Sequence, residues 1–454
     1  MLRVEEVAAV VERHVSEVRA IDVHTHLLPP SHGNLLLYGI DQLLTYHYLV
    51  AELFMLLPLP TDDDSVSVGG EAAPSPDTFF AWPKERQAEL VFDQLFVRRT
   101  PLSEAARGVV TTLRALGLRD MLRDATRRPA DAVGGRLAEL RGWFAAHDPT
   151  DHLRRCFDLT GLRYAVMTNI PFSAEEARHW LRPADGIDAC AALPDCLKPA
   201  LRVDPLLAGN WPAVRAAISG CEPPYPPTLA GVRAFVDDWV ARMRPVYLMA
   251  STPAGFTYAP LPAGAPEAAA DAQPSGADLL ERVLLAAARE HSLPIALKVG
   301  AVRGANPALR EGGDGVEVAD LSFVWRLCAA HRDVKFLLTV LSVDNQHELC
   351  VLARKFGNLH VYGCWWFCNN PSIIDSVTRM RLEMLGTAFT AQHSDARVLE
   401  QVVYKWAHSR AAITPVLAEA YTRLVRAGWE LTEDDVARDV GLLFGGAYEV
   451  FMAK

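Results

Sequence analysis

The chain has 454 residues, 50% of them hydrophobic and 22% charged, with a formal net charge of −10. That balance suits a globular protein with a large core and argues against a general nucleic-acid binder, since no basic cluster opposes the negative total. A small anionic substrate remains compatible, because a few arginines inside one pocket outweigh the global sign. No apolar run approaches the length of a membrane span. The eight cysteines are irregularly spaced with no C-x2-C pair, so they are expected as reduced thiols in a cytoplasmic protein.

In chain order, "MLRVEEVAAVVERHVSEVRA" reads as an amphipathic helix rather than a signal peptide. "RAIDVHTHL" follows as a first strand. Residues from about 35 to 150 read as a mostly helical insertion, interrupted at 59–78 by a Pro-, Gly- and Ala-rich loop. "RYAVMTNI" (163–170), "CLKPALRVD" (196–204) and "PVYLMAST" (245–252) are candidate strands, and 259–278 is a second flexible loop of the same composition. "LPIALKVGA" (293–301), "VKFLLTVLS" (334–342), "LHVYGCWWF" (359–367) and "GTAFTAQHSDAR" (386–397) are each followed by a helical pattern. Eight strands alternating with helices imply a parallel sheet with covering helices. The economical reading is one α/β domain over 1–454, a TIM-like (β/α)8 barrel with the helical insertion after strand one. Cys364 and Cys368, on either side of "WWF", are read as core.

Active sites of such barrels form at the carboxyl ends of the strands. His24 and His26 end strand one, and period-two alternation points both to one side. Asp395 ends the last strand, which adjoins strand one when the barrel closes. Two imidazoles and a carboxylate there make an open divalent-metal site, most simply zinc, with positions left for water or substrate. A hydrogen-bonded cluster without metal is the alternative.

"DVHTHL" on strand one with a strand-eight aspartate resembles the amidohydrolase superfamily, and further stretches resemble its uronate (glucuronate) isomerase branch. These are "TYHYLVAELF" (45–54), "LFVRRTPLSE" (95–104), "ALRVDPLL" (200–207), "LKVGAVRGANPALR" (297–310), "GCWWFCNN" (363–370) and "SDAR" (394–397). The resemblance implies a metal-dependent aldose–ketose isomerase acting on a hexuronate or related sugar acid, with no nucleic-acid or membrane partner, and is compatible with a homo-oligomer. It implies that metal at His24, His26 and Asp395 orients the substrate, while Arg202 and Arg397 supply guanidinium forks for carboxylate or enediolate oxygens. His47 and Tyr48 would relay protons beside Asp395, and Trp365, Trp366 and Arg303 would line the pocket. Arg202 paired to Asp204, or Arg303 anchoring a loop, are the structural alternatives; the family pattern gives His393 no ligand role.

Two positions depart from the family pattern. Lys298 stands where typical members carry histidine, and "LMASTPAG" lacks their Asp-His pair. Lys298 is read as a carboxylate-binding residue; a catalytic base, a carbamylated metal bridge and a salt-bridged structural lysine are its alternatives. These departures keep a second function open, a metal-dependent hydrolase or lyase acting on a small carboxylated substrate.

Overall fold

The computed structural model describes residues 1–58, 67–68, 71–181, 188–253, 255–261 and 273–454. Most of the two expected loops, 59–78 and 259–278, lies outside the described residues. Of their remainders, Ser67–Val68 pairs with Glu71–Ala72, and the helices Pro76–Ala81 and Gly276–Leu279 begin inside them.

Seven strands form one parallel sheet in sequential order: β1 (Ala20–Thr25), β2 (Leu162–Asn169), β3 (Leu197–Arg202), β4 (Leu248–Ser251), β5 (Ile295–Val299), β6 (Phe336–Val340) and β7 (Leu359–Val361). Each is a short apolar run buried along nearly its whole length, as expected of strands covered on both faces. Helices connect successive strands, and their apolar faces form the outer core around Leu153, Trp239, Leu284, Phe323 and Trp406. A second, inner core gathers Ile21, Val23, Val166, Ala200, Met249, Ala296 and Leu337 from six strands. The C-terminal helix Ala447–Ala453 closes its base with Tyr448 and Phe451.

Between β1 and β2 the chain builds a run of helices, among them Ile40–Leu44, His47–Leu56, Lys84–Phe92, Glu104–Ala115 and Ala138–Ala145. They bury their own cluster around Leu49, Phe79, Phe92, Leu113 and Phe144. Among the described residues, no helix is long and apolar enough to cross a membrane.

Residues 386–397 are not a regular strand. Their link to β7 is an isolated bridge, Tyr362 to Thr390. Their link to β1 is a pair of backbone bonds, Asp395 N to His24 O at 3.2 Å and His26 N to Ala396 O at 2.8 Å. Polar side chains compete here with the strand ladder for the backbone. Gln392 Oε1 accepts from Cys364 N and His393 N, Ser394 Oγ accepts from Ala396 N, and Ser394 N donates to Asp22 Oδ1.

Candidate metal centre and substrate cavity

Along β2 to β6, alternate residues continue from the inner core to the carboxyl end: Val166 to Thr168, Ala200 to Arg202, Met249 to Ser251, Ala296 to Lys298, Leu337 to Thr339. On β1 that parity would carry Ile21 and Val23 to Thr25, not to the histidines. A register shift intervenes, because Asp22 pairs with Ala165 while Thr25 pairs with Met167, three steps against two. The extra residue flips the alternation, so His24 and His26 join the interior face.

There they meet Asp395. His24 Nε2 lies 3.1 Å and His26 Nε2 3.4 Å from Asp395 Oδ1. The three ligand atoms lie within 4.8 Å of one another, the geometry of a cluster able to hold a metal ion. Thr168 Oγ1 has one proton and gives it to Thr25 O, so it accepts from His26 Nδ1 at 3.1 Å. That assigns His26 the tautomer whose Nε2 lone pair faces the cluster. Burial keeps both imidazoles neutral: it drives His24 well below its usual value, with Lys298 adding to the effect, and lowers His26 to about 3. Burial would raise the Asp395 carboxyl, but the Lys298 ammonium beside it, ahead of the two neighbouring imidazoles, outweighs it and holds the group ionised, well below the usual range. Neutral imidazoles and an anionic carboxylate, with no fourth carboxylate, imidazole or thiol ligand among the described residues, fit an open divalent site.

Lys298 enters the same cluster. Its Nζ is 2.6 Å from His24 Nε2, 2.7 Å from Asp395 Oδ1 and 4.5 Å from the centre of the Trp365 ring. Burial lowers the ammonium to about 8 against the opposing pull of Asp395.

A cavity of about 350 Å³ opens above these groups, lined by Arg202, Arg303, Arg397, Asp204, Glu311, Asp314, Tyr46, His47, Trp365 and Trp366 besides His26 and Lys298. Its size suits a small polar ligand. Its cations are already partnered. Arg202 grips Asp204 bidentately through Nε and Nη2, at 2.7 and 3.0 Å. Arg397 Nη1 donates to Glu311 Oε1 at 2.6 Å, and Arg303 pairs with Asp314. The structure thus contains the Arg202–Asp204 pair that was the structural alternative, yet sets both partners in the cavity wall.

His47 is half-buried, its Nε2 atom buried and unpartnered and its ring 4.1 Å from that of Tyr46 and 5.7 Å from that of Trp366. Burial, then Arg397, lowers it to about 3. Tyr48 goes elsewhere. It lines a neighbouring cavity of about 200 Å³ with Glu52, Trp366 and Lys405, while Tyr46 takes the place beside His47. Tyr46 caps the helix that begins at His47. The Tyr48 ring nevertheless stays in contact with this group, 4.9 Å from the Tyr46 ring and 4.7 Å from that of His47.

Sequence reasoning passed over Asp22, which is fully buried and accepts from Ser394 N at 2.9 Å and Trp406 Nε1 at 2.8 Å. It ties β1 to the segment carrying Asp395. Simple alternation would place it on the face of His24, but the register shift after Asp22 turns it instead toward Trp406 in the outer core. Glu311 and Asp314 lie on an irregular turn and carried no signal. Cys364 and Cys368 are buried in the outer core.

No protein-family model matches the chain, and no curated protein sequence does. Solved structures do. A uronate isomerase from Bacillus halodurans is 38% identical over 100% of this chain and 98% of its own, with a TM-score of 0.84. Glucuronate isomerase from Caulobacter crescentus (15% identity, 98% and 94% covered, TM-score 0.69) shares the fold. So does a uronate isomerase from Thermotoga maritima (12%, 98% and 97%, TM-score 0.66). The 38% identity to the Bacillus halodurans enzyme over essentially the full length of both proteins, joined to the His24–His26–Asp395 cluster, makes this chain a member of the uronate isomerase family.

Proposed function

We propose that the chain is a metal-dependent aldose–ketose isomerase acting on a hexuronate of the glucuronate or galacturonate type. The observation that carries this reading is the single cavity in which the three candidate ligands lie beneath three arginines, within a chain 38% identical to a uronate isomerase. Interconversion moves a proton between two adjacent carbons of the substrate and passes negative charge through an oxygen. When bound at His24, His26 and Asp395, a divalent ion, most simply zinc, supplies Lewis-acid polarisation of substrate oxygens. Arg397 and Arg202 orient the substrate carboxylate and hydroxyls, with Arg397 exchanging Glu311 for the ligand. Asp395 turns Oδ1 toward the histidine nitrogens, which leaves Oδ2 to take the migrating proton. His47, neutral in its apolar niche, passes a proton to or from a substrate oxygen, and Tyr48 serves as a more remote donor. Trp365, Trp366 and Arg303 shape the mouth and limit water.

This reading includes a closed eight-position barrel, with residues 386–397 in the eighth place, in one domain carrying the helical insertion of about 35–150. Eight cysteines without disulfide partners support a cytoplasmic setting. The test is to incubate the metal-loaded protein with each uronate in deuterated water. Ketose formation with deuterium on carbon is the expected result. Products of changed mass carrying solvent oxygen would instead establish the hydrolase reading.

A further inference from the structure

We propose that the Lys298 ammonium and a divalent metal are alternative occupants of the His24–His26–Asp395 cluster, Lys298 being an internal counter-cation that balances the Asp395 charge in place of a metal and weakens metal binding. The inference rests on the metal reading above and adds the control of that site.

Lys298 Nζ touches two of the three candidate ligand atoms, 2.6 Å from His24 Nε2 and 2.7 Å from Asp395 Oδ1, which are themselves 3.1 Å apart. A zinc ion binds such atoms at about 2.0–2.2 Å, so an ion contacting both could stand no more than about 3.6 Å from the ammonium. A dication and an ammonium at that separation, in a buried site, repel strongly. The His24 Nε2 lone pair cannot serve both cations. Metal entry therefore requires the lysine head to leave, and the adjoining cavity gives it room beside Asp204.

Lys298 also balances the charge of the cluster. An ionised Asp395 only 5% exposed, facing two neutral imidazoles, would be an uncompensated buried charge without Lys298. The ammonium also sits over the Trp365 ring, a favourable face for a cation that has left water. Lys298 projects from β5, whose backbone is paired on both sides, by β4 and β6. Its stem is thus fixed while its flexible head can move.

The experiment compares zinc affinity of the full chain and of Lys298→Met by competition with a chromophoric chelator, alongside the melting midpoints of the metal-free and zinc-loaded forms. Methionine keeps the stem and removes the charge. The expected result is zinc binding at least about tenfold tighter in the variant, as relief of like-charge repulsion at contact distance requires, with a lower metal-free midpoint that zinc restores. Equal affinities in both proteins would overturn the inference while leaving the metal reading intact. Absence of zinc binding from both would overturn the metal reading and the inference with it.

A second measurement needs no variant. Reductive methylation of the wild-type chain, read by mass spectrometry on the peptide containing Lys298, should be slow without metal and faster once zinc expels the amine. Labelling indifferent to zinc would overturn the inference even if Lys298→Met fails to fold.

Discussion

Gly363→Ala would probe how closely the "GCWWF" turn is packed against the candidate metal site. Gly363 has φ +62°, in the left-handed region, and a Cβ built there would lie 1.7 Å from His393 Nδ1. The His393 ring is fully buried, has no hydrogen-bond partner on either nitrogen, and packs edge-on against His24 with ring centres 5.4 Å apart. It can retreat from the new methyl only toward His24 or the Tyr362 ring, 5.3 Å away on its other side. Left-handed backbone costs a non-glycine residue roughly 1–2 kcal/mol, and overpacking a tight core roughly 1–3 kcal/mol more. The sum is about 2–5 kcal/mol. Unfolding entropy of about 2.1 cal/mol/K per residue over 454 residues amounts to ~1 kcal/mol/K, so the calorimetric midpoint should fall by about 2–5 °C. Zinc affinity, measured by chelator competition on the same sample, should fall too, because the displaced ring presses on a ligand. A variant with unchanged midpoint and unchanged affinity would refute the reasoning, showing that His393 relocates freely.

Arg397→Lys should lower kcat/KM about 100-fold, because lysine keeps the charge but loses the planar fork that fixes a carboxylate. Its melting midpoint should move by less than about 1 °C, since the pair it forms with Glu311 is partly exposed and worth only ~1 kcal/mol; near-normal turnover would remove Arg397 from the reaction. Stability should also fall as pH drops below about 6.5. His47 and His360 are both held near 3 by burial, so over that window the unfolded chain takes up protons that the folded chain refuses. Urea unfolding at pH 5 and pH 7 checks the sign, and equal stabilities would mean that these rings are solvated.

Seven strands were legible because each is a short, nearly continuous apolar run, and burial on both faces is what makes such a run a strand in a parallel sheet. The candidate ligands were legible for a weaker reason. Alternation places His24 and His26 on one face, but which face depends on the register shift at Asp22–Thr25, and no residue pattern announces it. Residues 386–397 were misread as regular strand because the apolar "AF" and the position in the sequence outweighed Thr390, Gln392 and Ser394, whose side chains take over backbone bonds. Tyr48 was expected beside His47, and its ring does pack 4.7 Å from it, but the wall of the larger cavity there is formed by Tyr46, which carried no signal of its own. The cavity's acids, Glu311 and Asp314, meet Arg397 and Arg303 only through tertiary structure.

The backbone around Asp395 bears on what a missing cation would do. Asp395 and Trp366 are non-glycine residues with positive φ, +52° and +45°, and both border the cavity or its metal cluster. Such conformations persist only where the surroundings over-determine them. At Asp395 they do: its own N–H donates to His24 O, Ser394 N to Asp22 Oδ1, and Ala396 takes part in two bonds, its N–H to Ser394 Oγ and its carbonyl from His26 N. Three of these bonds tie the segment to residues 22–26 and the fourth fixes its own turn, all without help from Lys298. The lysine therefore supplies charge rather than position. Removing it should leave Asp395 in place with no cation beside it, which is the state that favours capture of a divalent ion.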